Sequence, residues 1–169
     1  LADQTVSATT TDNDVAGFTI AQTGGSTSVA ETGTTDTFTV VLNAQPTTDV
    51  VMSIASSDAG ESTTTNTLNF TNENWNSAQT VTVTGVDDNI IDGTITSTVT
   101  ISIIDANSDD TFDAVANQTV SVTTTDDDVA GFTIAQTDGS TSVAETGTTD
   151  TFTVVLNAQP ASNVVLTVT

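Results

Sequence analysis

Acids are the only charged side chains in this sequence. It has 169 residues, 22 of them Asp or Glu, with no Lys, Arg or His and a formal net charge of -22. Many fall in short sets: Glu31, Asp58 with Glu61, Asp87 and Asp88 with Asp92, and the triplet Asp126, Asp127 and Asp128. Carboxylates held together repel one another, and no base in the chain can neutralise them. Two chemistries use such groups. Paired acids cleave glycosides, but no aromatic-lined cleft is suggested here. Other catalytic routes lack His, Lys, Cys and Tyr, so an enzyme is not expected. The second chemistry is the binding of a hard cation. Ca²⁺ takes about 6–8 oxygen ligands in flexible geometry, whereas Mg²⁺ keeps more water. Zinc and copper lack their usual His and Cys ligands. Ca²⁺ is therefore the expected cofactor.

The same composition narrows the partners. Phosphate contacts need Lys or Arg, which excludes nucleic acid and anionic membrane surfaces. No apolar run approaches the roughly 18 residues that span a bilayer, so no membrane insertion is expected. Without Cys there is no disulfide framework. High charge with few aromatics can mean disorder, yet 36% of residues are hydrophobic and they alternate in order. Ser and Thr make up about a third of the chain, which keeps a strand surface solvated without cations.

The acids must be positioned by a repeated element. "TTTDNDVAGFTI" at 9–20 returns as "TTTDDDVAGFTI" at 123–134, and 43 of 55 positions match between 1–55 and 115–169. The period is 114 residues, the size of a domain. Residues 1–14 read as the C-terminal end of a preceding repeat. Residues 15–128 read as one complete repeat, and 129–169 as the N-terminal part of the next. The chain reads as a window on a longer tandem array.

Within the repeat the hydrophobic period is two. Strands are expected at 17–23 and 27–31 (a split first strand), 36–43, 49–56, 67–71, 79–86, 94–104 and 118–125. About seven short strands in such a length predict an all-β, Ig-like antiparallel β-sandwich. Its expected core is Phe18, Ile20, Val29, Phe38, Val40, Leu42, Val51, Ile54, Leu68, Phe70, Val81, Val83, Ile95, Val99, Ile101, Ile103, Val120 and Val122. In that topology the loops holding Glu31, Asp58 with Glu61, and Asp87, Asp88 and Asp92 share one end with Asp126, Asp127 and Asp128. A second acidic set, Asp105, Asp109, Asp110 and Asp113, falls at the other end, as metal ligands or as an ordinary polar loop.

The strings "TSVAETG" (27–33), "TFTVVLN" (37–43), "SSDAGE" (56–61), "LNFTNENWNSAQTVTVTGVDDNIIDG" (68–93) and "TVSVTTTDDD" (119–128) resemble Calx-β domains, in particular the tandem Calx-β-like repeats of large bacterial surface and adhesin-type proteins. The resemblance spans the whole repeat. It implies a sandwich that binds Ca²⁺ through three loops and the C-terminal linker. By position it implies Glu31, Asp58, Asp87, Asp88, Asp126, Asp127 and Asp128 as ligands, with Asp92 added; Glu61 fits the motif less closely. The preceding repeat would use Asp12, Asn13 and Asp14, and the following one Glu145. Asn13 stands where an acid is usual, which implies a weaker site.

These readings converge on a structural role. The expected protein is a calcium-stiffened segment of a secreted filament or cell-surface adhesin stalk, extracellular, whose partners are neighbouring repeats of the same polypeptide or fibre. The alternative is an adhesive module recognising a carbohydrate or receptor. Covalent O-glycans are candidates at Thr34, Thr35, Thr63, Thr64 and Thr65. Asn69 and Asn117 match the N-glycosylation pattern. Trp75 is expected to cover the edge of the sandwich.

Overall fold

Thr, Val and Ile at alternate positions favour extended backbone, with one face turned inward. In the computed structural model, which describes all 169 residues, this produces nine strands between residues 18 and 125. They are β1 (Phe18–Gln22), β2 (Thr27–Ala30), β3 (Thr35–Leu42), β4 (Val50–Ser56), β5 (Ser62–Thr64), β6 (Thr67–Phe70), β7 (Gln79–Gly85), β8 (Ile95–Ile103) and β9 (Gln118–Thr125). One sheet has the order β1-β3-β7-β5 and the other β2-β9-β8-β4-β6. The split first strand is real: Gly24 and Gly25, both at positive φ, break it so that β1 joins one sheet and β2 the other. Only glycine enters that backbone region freely.

The pairing differs from expectation in one respect. Six of the seven strand pairings in this domain are antiparallel, but β2 runs parallel to β9, with Ala30 opposite Thr125. The switch of the first strand between sheets reverses its sense relative to its new neighbour.

The core lies between the sheets and contains Phe38, Phe70, Val81, Val83, Val99, Ile101 and Val122, all fully buried. Fourteen of the expected core positions hold. Val51 does not: Val50, Met52 and Ile54 point inward, and Val51 lies on the other face. Ile20, Ile95 and Ile103 are only half-buried. Phe112, in a 3₁₀ turn between β8 and β9, joins the core from a loop. Trp75 packs against the core as half-buried cover, and its carbonyl accepts from Leu42 N–H at 3.2 Å.

Residues 129–169 form a hairpin, β10 (Phe132–Gln136) with β11 (Phe152–Leu156). Phe132 pairs with Leu156 as Phe18 pairs with Leu42, so the register of β1 and β3 is reproduced 114 residues later. No helix is long and apolar enough to cross a membrane.

Candidate metal centre

The parallel pairing of β2 and β9 places the first acid. Both strands end at the same level, so the next residues, Glu31 and Asp126, leave the sheet side by side. Glu31 N–H donates to Thr125 O at 3.0 Å. Opposite them, β5 and β7 pair with Ser62 facing Gly85, and the preceding residue, Glu61, is tied to both sheets. Its carbonyl accepts from Val86 N–H at 3.0 Å and from the Thr124 hydroxyl at 3.3 Å. Gly85 allows the closest approach. A Cβ there would lie 2.0 Å from Ala30 O, so β7 presses directly on the backbone next to Glu31.

The loop after β7 closes the arrangement. Gly93 N–H donates to Asp126 Oδ2 at 2.8 Å and Asp128 N–H to Asp126 Oδ1 at 2.7 Å. Asp126 thus folds its own linker and pins the turn that carries Asp92. Carboxylate oxygens of Glu31, Asp126 and Asp128 lie within 4.8 Å of one another, and so do those of Glu31, Glu61 and Asp92. Glu31 belongs to both groups.

Burial makes this arrangement unusual. Glu31 is 1% exposed and Glu61 6%. Both Glu31 oxygens, Glu61 Oε2 and Asp128 Oδ2 are buried without a hydrogen-bond partner. Burial, then the charges of Asp126, Asp88, Glu61 and Asp92, push the Glu31 carboxyl up to about 7. Burial and the charges of Asp92, Asp58, Asp88 and Asp126 raise Glu61. Desolvation and four neighbouring aspartates raise Asp128. Asp126 moves the other way, because the Gly93 and Asp128 N–H groups stabilise its charged form. The donor set is all oxygen and anionic, which fits a hard divalent cation such as Ca²⁺.

The remaining candidates lie at varying distance from this centre. Asp88 is half-buried and caps its own turn by accepting from Ile90 N–H at 2.6 Å. Asp58, Asp87 and Asp127 are exposed, and none belongs to either close group; Asp58 instead accepts from Gly60 N–H at 3.0 Å. Asp12, Asn13, Asp14 and Glu145 are exposed and outside both groups. Asp12 and Asp14 line a groove with Thr111 and Ala114 at the opposite end of the domain.

Glu61 is the residue that motif matching left aside. Its signal is the short polar strand β5 behind it, which has no hydrophobic alternation to reveal it.

The acids at the far end behave differently. Asp109 is 3% exposed, but its carboxylate accepts five hydrogen bonds, from Thr47 N–H and hydroxyl, Thr48 N–H, and Thr111 N–H and hydroxyl. It organises loops and needs no cation. Among the glycan candidates, the Thr34 hydroxyl accepts from Ala30 N–H and that of Thr65 from Thr82 N–H, while that of Thr64 points to Ile54 O. Thr35, Thr63, Asn69 and Asn117 are exposed.

Comparison with protein-family models and with curated proteins found no match. Among solved structures, the chain is similar to the surface layer protein SbsC, domains 1–6, at 20% identity and TM-score 0.46, over 92% of this chain and 23% of that one. It is similar to the apo-form Calx CBD1 domain at 12% identity and TM-score 0.44, over 66% of this chain and 98% of that one. It is also similar to the E. coli chaperone DraB at 7% identity and TM-score 0.46, over 69% of this chain and 59% of that one. These likenesses concern fold alone, and the strand pairing above establishes it: the chain is an all-β protein built on a β-sandwich.

Proposed function

We propose that residues 15–128 are a calcium-binding repeat of a secreted or cell-surface filament, in which bound Ca²⁺ stiffens the joint to the next repeat. Residues 1–14 and 129–169 then belong to the neighbouring repeats. One observation carries the reading. Glu31 is buried with no donor, among four other carboxylates, in a chain that has no basic side chain. A buried unpaired carboxylate is among the most destabilising features a fold can hold. Asp109, equally buried, shows that this sequence can satisfy a carboxylate with hydrogen bonds where no ion is needed.

Glu31, Glu61, Asp92, Asp126 and Asp128 would hold the ion, with Asp88 beside them. Bound Ca²⁺ supplies the positive charge that the chain lacks. The residues themselves do the coupling. The loop carrying Asp87, Asp88 and Asp92 also touches the next unit: Asn89 O accepts from Gln159 N–H at 2.6 Å, and Ile91 lines an apolar cleft with Phe132 and Leu156. Ordering this loop from the acid side therefore orders the joint from the other. Thr35 and Thr63, exposed and with hydroxyls outside the bonds that engage Thr34, Thr64 and Thr65, remain the positions for O-glycans.

Thermal unfolding tests the reading. Millimolar Ca²⁺ should raise the midpoint by on the order of 10 °C over EDTA, since a ligand that binds only the folded state stabilises by mass action. Glu31→Gln should remove most of that shift. An unchanged midpoint in calcium would sink the proposal.

A further inference from the structure

The backbone crosses the complete repeat from one end to the other. It enters through β1. Gln118 Nε2, at the start of β9, donates to Phe18 O at 2.7 Å, so β1 and β9 begin at the same end of the sandwich. The eight residues of β9 then lead to the opposite end, where the chain leaves through Asp126. A pull on the chain at either side of the repeat therefore acts along the strands, in opposite senses on β1 and β9.

Direction decides how a strand resists. A strand peeled away from its neighbour loses its ladder bonds one after another. The bonds lie across the strands, so a strand drawn along its own axis must break them together. β1 is loaded in this second way against β3, over five opposed pairs from Phe18 with Leu42 to Gln22 with Phe38. Once β1 gives way, the load passes through Gly24 and Gly25 to β2. β2 lies parallel to β9, from Thr27 opposite Val122 to Ala30 opposite Thr125, and the two are drawn in opposite senses. Parallel neighbours held in this way slide and cannot unzip. Each also has a second hold. β9 pairs with β8 at seven positions. On the free side of β2, Ser28 N–H donates to Asp36 Oδ2 at 2.9 Å and Ala30 N–H to the Thr34 hydroxyl at 2.7 Å.

The metal centre sits where these two strands end. Glu31 follows β2, Asp126 and Asp128 follow β9, and their carboxylate oxygens lie within 4.8 Å of one another. We propose that β2 and β9 form a load-bearing clasp that resists tension along the chain by shear, and that a divalent cation held by Glu31, Asp126 and Asp128 locks its end. The lock, unlike the clasp, rests on the calcium reading above. β2 cannot slide past β9 without drawing Glu31 away from Asp126, so the ion and the ladder must let go in one step.

Pulling on single molecules of the full chain tests the clasp, with handles in two geometries. The first holds the two ends of the chain. The second holds the C-terminal end and the thiol introduced by Thr96→Cys, which is unique in a chain without Cys. Thr96 is exposed and lies opposite Thr123 near the exit of β9, so this pull peels β9 from β8 pair by pair. In CaCl₂ the domain should withstand several-fold more force in the first geometry than in the second. Equal forces overturn the clasp. Leu68→Ala truncates the core in β6, away from the load path. Forced unfolding follows the barrier on the pulled route, so this variant should lower the thermal midpoint and leave the first-geometry force unchanged. A force that falls with the midpoint also overturns the clasp. In EDTA the first-geometry force should drop by about half, as a clasp that loses its end lock retains only its ladder. Equal forces in CaCl₂ and EDTA overturn the lock. If calcium still raises the thermal midpoint in that case, the metal centre stands without it; a midpoint indifferent to calcium removes the calcium reading itself.

Discussion

At the scale of single residues, two buried carboxylates define the molecule. Asp109 has five donors and Glu31 has none, so their ionisation acts on stability with opposite sign. Hydrogen bonds from Thr111, Thr47 and Thr48 hold Asp109 far below the ordinary carboxylate value of 3.8. Its folded state binds a proton less readily than the unfolded chain. Its contribution is therefore complete above about pH 4 and is lost as pH falls towards the depressed value. Asp109→Asn should lower stability at neutral pH by about 3 kcal/mol, because donors aimed at a charged acceptor lose it. The variant should also show a flatter decline than the parent in denaturant titrations below pH 4. Glu31 is the converse. Its value rises from 4.5 to about 7, so the metal-free fold loses stability as pH rises through that window, by roughly 3 kcal/mol. In EDTA at pH 8, Glu31→Gln should therefore unfold at a higher temperature than the parent, while responding less to calcium. A variant that stabilises the empty protein and weakens the loaded one separates a ligand from a mere structural acid. An equal loss in both conditions would make Glu31 structural. The sequence shows the acids and their spacing, but not this contrast, because three of the five donors to Asp109 come from Thr47 and Thr48, 62 and 61 residues away.

At the scale of elements, alternation made most strands legible, and its failures have physical causes. "VVMSI" offers three apolar residues in a row, so period two does not say which face turns inward; the answer, Val50 and Met52 rather than Val51, depends on the opposing sheet. The strand β5 has three polar residues, with Ser62 buried by its neighbours, and no local pattern marks it. Phe112 enters the core from a 3₁₀ turn, where neither helix nor strand periodicity applies. The parallel pairing of β2 and β9 is a consequence of the strand switch at Gly24 and Gly25, and it is the feature that sets Glu31 beside Asp126. Gly85 is the matching contact from the other sheet. Gly85→Ala must displace the Ala30 carbonyl, which should destabilise the domain by roughly 2 kcal/mol through overpacking. Because the displaced residue adjoins Glu31, calcium affinity measured by isothermal titration should fall as well. A stable Gly85→Ala variant with unaltered affinity would show that the two sheets do not set the site between them.

At the scale of the whole molecule, a charge of -22 with no cationic side chain works against any compact state. Two remedies are available, and they differ in kind. Added salt screens all the acids alike, over a Debye length of about 10 Å at 0.1 M, and reaches the exposed Asp87, Asp127 and Asp58 more readily than the buried Glu31. A bound ion acts only where carboxylates converge. The five acids of the centre come from three loops and the linker, so an ion there also ties together chain segments that lie far apart in sequence, and it does so next to the Asn89–Gln159 contact with the following unit. Unfolding midpoints in NaCl and CaCl₂ at matched ionic strength separate the two effects. Both salts should raise the midpoint above that in dilute buffer, but calcium should exceed sodium by several degrees and saturate in the millimolar range. Sodium should climb gradually without saturation. Glu31→Gln should bring the calcium curve down to the sodium curve and leave the sodium curve in place. Coincident curves for the parent protein would mean that its acids need only screening. The joint would then be as flexible as its few direct contacts allow, and the proposed calcium stiffening would fall.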